Sequence, residues 1–182
     1  MIKLLGITKL TGKGIEVKVH PTLIPDSHPL ATVRDSFNAV FVHGQAYDDA
    51  MFMGRGAGQM PTASAVLGDV IDVMRNIIHG SCGKIGSDSH KKLLVLDVEE
   101  TKSRFFLRLQ VENRAGALAN IAGVLGNNDV SIAQMVQKRS HDGIAEIVVI
   151  TDLVTERHFN DAIRIMEGMS VVREISGIIR VY

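Results

Sequence analysis

Leu109-Gln-Val-Glu-Asn-Arg-Ala-Gly-Ala-Leu118 decides how the second half of this chain folds. Phe105, Leu107, Leu109 and Val111 recur every second residue, the rhythm of a strand, and that rhythm stops at Asn113. Gly116 follows. Leu118, Ile121, Ala122 and Leu125 then fall at helical spacing. A glycine between strand and helix lets the backbone turn tightly and leaves room for close approach. The helix start presents N–H groups with no partner inside the helix. Such a terminus can hold a small carboxylate, for instance that of an amino acid, without a dedicated cationic side chain. The pattern points to sensing rather than to chemistry.

Outward from this stretch, Asn127-Asn-Asp129 turns the chain. Val130–Arg139 and Ile144–Leu153 read as a hairpin through His141-Asp-Gly143. Thr155 caps a second helix whose inner face carries Phe159, Ala162, Ile163 and Met166, and Val171–Tyr182 reads as a last strand. The order is βαββαβ, a ferredoxin-like arrangement with two helices over one face of an antiparallel sheet. Towards the N-terminus, residues 1–20 are strand-like. Ile15, Val17 and Val19 alternate there with Glu16, Lys18 and His20, which predicts one wet face. Pro21, Pro25 and Pro29 predict a break in regular structure. Phe37–His43 reads as a short buried strand, Asp48–Phe52 as an edge, and Gly54-Arg-Gly-Ala-Gly58 as a flexible loop. Pro61 and Thr62 suit the start of a helix that continues from Ala63 to Ile78. Its stripe of Val66, Val70, Val73 and Ile77, with Leu67, Met74 and Ile78 beside it, predicts packing on more than one side. Residues 79–92 are small and polar and form the best linker, and Leu93–Ser103 is a transition.

The 182 residues allow one domain or two small ones, and a hydrophobic share of 46% suffices for packed cores. Lys+Arg and Asp+Glu number 20 each, so the net charge is zero. That argues against a general nucleic-acid binder, which needs a basic surface to displace counterions. No apolar run approaches the length of a membrane span, and no signal-peptide core opens the chain. Cys82 is the only cysteine, which fits a reducing cytoplasm.

The second unit resembles an ACT domain, the amino-acid-sensing module of many metabolic enzymes, through Val111-Glu-Asn-Arg-Ala-Gly-Ala-Leu118 and Val130-Ser-Ile132. That family usually has Pro where this chain has Ala115, and often Asp in place of Asn113. The first 80 residues resemble the end of the catalytic region of homoserine dehydrogenases. Ile2-Lys-Leu-Leu-Gly-Ile7, Val19-His-Pro-Thr-Leu-Ile-Pro25, Pro29-Leu-Ala31, Asn38-Ala-Val40, Gly54-Arg-Gly-Ala-Gly58 and Pro61-Thr-Ala-Ser-Ala-Val-Leu-Gly-Asp69 carry the likeness. The expected architecture is α+β: a partial catalytic α/β region over 1–80, a linker and transition over 81–103, and a ferredoxin-like ACT domain over 104–182.

The resemblance implies that the chain is the C-terminal part of an enzyme that interconverts aspartate semialdehyde and homoserine with NAD(P). By position, Gly58, with Gly56 beside it, would approach the nicotinamide of the full-length enzyme; read from the residues alone, the loop is a plain tight turn. No Gly-x-Gly-x-x-Gly fingerprint follows, since Gln59 stands where its last glycine would be. The family's catalytic lysine and acidic substrate ligands would lie upstream of Met1. No catalytic residue is therefore assigned, no cofactor is expected on this chain alone, and the chain by itself is expected to be inactive. The effector site is expected at Asn113, Ala115, Gly116, Ala117, Leu118, Ser131 and Ile132, with threonine favoured by pathway logic. Asn113 can both donate and accept, and Ser131 offers a hydroxyl; alternatively Asn113 only caps the loop and Ser131 only pairs in the sheet. No metal site is expected: His20, His28 and His43 fit no common zinc spacing. Cys82 lacks an evident base, and Asp69 and Asp72 suit a solvated helix face. The expected partners are a small amino acid and a second copy, giving at least a dimer, with no nucleic acid and no membrane. The rival reading is a free-standing amino-acid sensor without catalysis.

Overall fold

The computed structural model describes residues 1–46, 48–83, 92–138 and 142–182. Packing divides the chain into two compact units, one formed by Met1–Pro25 with Leu93–Tyr182, the other by Asp26–Lys92. In chain order the elements are β1 (Ile2–Leu10), β2 (Ile15–Leu23), β3 (Phe37–Gly44), β4 (Asp48–Arg55), α1 (Gln59–Ile78), β5 (Lys102–Glu112), α2 (Ala117–Asn127), β6 (Ile132–Gln137), β7 (Ile144–Thr151), β8 (Val154–Thr155), α3 (Glu156–Glu167) and β9 (Val172–Val181).

The expected βαββαβ order holds over β5-α2-β6-β7-α3-β9, and the sheet runs β1-β2-β9-β5-β7-β6. β5 is the central strand, antiparallel to both β7 and β9. Its alternate side chains Phe105, Leu107, Leu109 and Val111 are fully buried, because they face Ile121 and Leu125 of α2 and Phe159, Ala162 and Met166 of α3. Phe105 and Phe159 stack with ring centroids 3.7 Å apart. Thr155 caps α3 as expected, accepting from the His158 N–H at 3.4 Å. The turn at Asn127-Asn-Asp129 forms with Asp129 at φ 57°, the left-handed conformation common just past a helix end. Of the hairpin turn read at His141-Asp-Gly143, His141 lies outside the described residues; Asp142 and Gly143 both take positive φ.

Two expectations for the N-terminal stretch are corrected. First, Pro21 does not end the strand, and β2 runs through it to Leu23. Met1 and Ile24 exchange both backbone hydrogen bonds. Antiparallel pairs alternate between bonded and non-bonded, so Leu4↔Pro21, three steps on, is a non-bonded pair that requires no N–H from proline. Second, the wet face is inverted. Lys18, His20 and Thr22 are buried, whereas Val17 and Val19 are 52% and 72% exposed. The compact units also differ in extent from the segments read along the chain. The β1–β2 hairpin joins the C-terminal sheet through parallel pairing of Thr22 with Arg180 and Leu23 with Val181. Ile15 also bridges to Val95. Residues 84–91 of the proposed linker lie outside the described residues.

In the other unit, β3 and β4 form a separate antiparallel pair. The strand Phe37–Gly44 is not buried as expected: Val40 is exposed. Helix α1 starts at Gln59, two residues before Pro61, which a first turn tolerates because its N–H groups have no helical partner. None of its residues is buried, so the expected packing of its apolar stripe on several sides does not occur within this chain.

On the outer face of the C-terminal sheet, Glu146 is held by Lys138 at 2.7 Å and by the Arg108 guanidinium, with Gln110 donating at 3.3 Å. The hydrogen bonds from Lys138 and then Arg108 draw its carboxyl down to about 2. A depressed carboxylate contributes stability above its ordinary value of 4.5 and loses that contribution as pH falls from there toward about 2. Acid unfolding followed by circular dichroism should therefore be shallower in Glu146→Gln than in the parent across that window. Parallel curves would remove the role given to the two cations.

Candidate functional site

The loop after β5 is built by backbone bonds. Asn113 N–H donates to the Gly143 carbonyl at 2.8 Å, Arg114 N–H to the Glu112 carbonyl at 2.9 Å, and Ala117 N–H to the Arg114 carbonyl at 3.2 Å. Gly116 caps α2 at φ 84° and ψ −10°, in the left-handed region, and accepts from Asn120 N–H at 3.0 Å. It supplies no side-chain oxygen to the helix end. A Cβ at Gly116 would meet nothing within 4 Å, so glycine is demanded by the backbone angle and not by crowding. Asn113, Arg114, Ala115 and Gly116 are exposed, Leu118 is 40% exposed, and Ala117 is buried. Ala117 therefore anchors α2 to the core. A shallow cup of about 470 Å³ is lined by Asn113, Glu112, Arg114 and Arg173, among others. Both arginines pair with Glu112, at 3.2 and 2.6 Å.

Ser131 and Ile132 are not brought to this loop within one chain. Ser131 Oγ donates to Asp152 at 3.0 Å, and Ile132 pairs with Thr151, at the far end of β7. Glu112, next to the loop, pairs with Ile144 at the near end. The seven steps along β7 from Ile144 to Thr151 separate the two groups by roughly 24 Å at the usual rise of an antiparallel strand. The cause is the path of the chain: β5 ends at the loop, α2 carries the chain back, and β6 starts at the opposite edge.

Of the two loop glycines, Gly56 N–H donates to the Ser36 carbonyl at 3.0 Å, and a Cβ there would collide with the Asn38 side chain. Local packing thus accounts for Gly56. Gly58 caps α1 at φ 128° without a side-chain cap, which leaves the first turn of that helix without one. At Gly58 the backbone angle itself disfavours any side chain. Asp72 accepts from Asn76 at 3.4 Å on the exposed face of α1, as a solvated helix face would. Among the described residues no group of three or more His, Cys, Asp or Glu side chains could hold a metal ion.

Sequence reasoning missed one cluster altogether. The Glu156 carboxylate, 2% exposed, takes a two-pronged ion pair from Arg180 at 2.7 and 2.6 Å and a hydrogen bond from Ser103 Oγ at 3.0 Å. Ser103 Oγ in turn accepts from Lys18 Nζ at 3.1 Å, which also donates to the Lys102 carbonyl at 2.8 Å. His20 is next to it in the strand rhythm, with Nδ1 3.2 Å from the Pro21 carbonyl and 3.0 Å from the Thr22 hydroxyl. Its buried Nε2 has no partner. Burial, with Arg180 and Lys18 nearby, holds the His20 ring below its ordinary value. The available signal was a run of polar residues on one face of β2 matched by an inward-facing arginine on β9.

Residues 1–71 match the homoserine dehydrogenase family model, and residues 105–168 match that of the ACT domain. The homoserine dehydrogenase of Bacillus subtilis is 38% identical over 184 residues, covering 99% of this chain and 42% of that protein. The homoserine dehydrogenase of Corynebacterium glutamicum is 40% identical, covering 98% and 41%. A crystal structure of a homoserine dehydrogenase from Thiobacillus denitrificans superposes with a TM-score of 0.89 at 35% identity, over all of this chain and 42% of that one. The chain thus spans about two fifths of the length of the relatives it matches.

The loop geometry gives two opposite expectations. Gly116→Ala forces a left-handed alanine and should cost about 1–2 kcal/mol. Gly123→Ala, inside α2 with open space at its Cβ, should instead stabilise by about 0.5–1 kcal/mol. Thermal melts of the two variants should move in opposite directions from the parent. A shift of the same sign in both would show that the loop does not hold the angle described.

Proposed function

We propose that this chain, which matches the homoserine dehydrogenase family model over residues 1–71 and that of the ACT domain over 105–168, is the regulatory C-terminal part of a homoserine dehydrogenase. The complete enzyme would interconvert aspartate semialdehyde and homoserine with NAD(P) in the cytoplasm, with Gly58 near the nicotinamide. The ACT domain would receive a small amino acid, threonine by pathway logic. The observation that carries this reading is the left-handed Gly116 at the head of α2, which leaves an uncapped helix start beside the exposed Asn113.

The effector site is shared between two copies. Asn113 and Ser131 lie at opposite ends of the sheet in one chain, so a ligand can touch both only where the β6 edge of one copy runs antiparallel beside that of another. An open edge strand is a ready site for such pairing, and a two-fold axis brings the loop of each copy to Ser131 of its partner. Loop residues Asn113, Ala115, Gly116 and Leu118 would then face Ser131 and Ile132 across the axis.

Sedimentation at tens of micromolar should show at least a dimer, and a monomer there would remove the shared site. For the ligand, binding to the folded state alone stabilises by about 2.7 kcal/mol at about 100-fold above the dissociation constant. A melt against a panel of amino acids at millimolar concentration should therefore rise for threonine or a close relative. Asn113→Ala should abolish that rise and leave the unliganded melt nearly unchanged. No rise with any amino acid would make the ACT domain a pairing module only.

A further inference from the structure

The β1–β2 hairpin is joined to the ACT sheet in an unusual way. Backbone pairing between β2 and β9 covers only Thr22↔Arg180 and Leu23↔Val181, extended by the Tyr182 N–H to the Leu23 carbonyl at 2.9 Å. At the other end, among the described residues, only Ile15 bonds, to Leu94 and Leu96. Between these ends the seam is polar. The buried side chains that β2 turns inward are Lys18, His20 and Thr22. Lys18 reaches the far side through Ser103, whose hydroxyl passes the link to Glu156, and Glu156 is clamped by Arg180.

Such a seam differs from an apolar one in what happens when it opens. Apolar side chains lose the hydrophobic contribution on exposure to water, whereas Lys18, His20, Thr22, Ser103 and Arg180 regain hydration. The docked state also leaves His20 Nε2 buried and unpartnered, a cost that undocking removes. The Glu156–Arg180 pair lies between α3 and β9, so it does not depend on the hairpin. We propose that the β1–β2 hairpin is an arm that undocks from the ACT sheet as one piece while that sheet stays folded, and that Lys18 is the latch that holds it. The arm belongs in sequence to the homoserine dehydrogenase segment and in packing to the ACT unit. It is therefore a physical route from the state of the ACT domain to that segment. This regulatory meaning rests on the effector reading given above, whereas the opening itself does not.

An isolated two-stranded hairpin is marginal in water, so an undocked arm exchanges its own amide hydrogens. Hydrogen exchange on the full chain, without ligand, tests the idea. In the parent, the amides of Lys3 and Thr22 should exchange together and at least about tenfold faster than those of Leu107 and Ile147. Lys18→Met should accelerate the arm by about tenfold more and leave β5 and β7 within about twofold. Ser103→Ala should do the same, and Lys18→Arg, which keeps the charge and the donors, should restore much of the protection. One common protection for the arm and β5 in the parent would overturn the proposal, and so would acceleration spread evenly over the chain. The parent measurement decides if Lys18→Met does not fold.

Discussion

The position of β5 between β7 and β9 is the constraint on which the C-terminal unit depends. Hydrogen-bonded on both flanks, and with every second side chain buried, this strand cannot shift by one residue without turning Leu107 and Leu109 to water. Its end point is therefore fixed, and so is the Asn113–Gly116 loop that follows. Ile121 and Leu125 pin α2 to the same strand, which sets the direction of the helix start. A loop held from both sides has little freedom left to lose when a ligand arrives, which favours binding by a small molecule.

Much of this unit was readable along the chain. The two-residue rhythm of β5, the helical spacing from Leu118, the cap at Thr155 and the glycine at 116 are local signals, and each appears in the structure at or within a residue or two of the expected place. What local signals cannot carry is the far partner. Alternation in β2 told which residues share a face, but which face is wet was decided by Ser103, Glu156 and Arg180, distant in sequence. The same holds for Ser131. Its place after a helix was plain, but the return path of α2 puts it at the opposite end of the sheet from Asn113. The loop itself was therefore legible along the chain, whereas its distance from Ser131 within one copy was not.

The polar seam and the apolar exterior of the hairpin are two sides of one fact. Strand β2 turns its charged side chains inward because the ACT sheet offers an unusual partner there, a carboxylate already clamped by an arginine. Its valines are then left outside, together with Ile2 and Leu4 of β1. Buried ionic groups contribute less net stability than apolar packing of the same size, yet they tolerate only partners of the right charge and geometry. The joint is thus selective before it is strong.

The sheet is also closed late in time. Leu23 pairs with Val181, far along the chain. At about 5–20 residues per second of synthesis, a nascent hairpin waits on the order of ten to thirty seconds for the strand it docks against. During that wait the face it will bury is hydrated Lys18, His20 and Thr22, which water tolerates well. An apolar face in the same place would be exposed for as long, next to every other nascent chain. The polar seam thus suits a hairpin made long before the β9 strand it docks against.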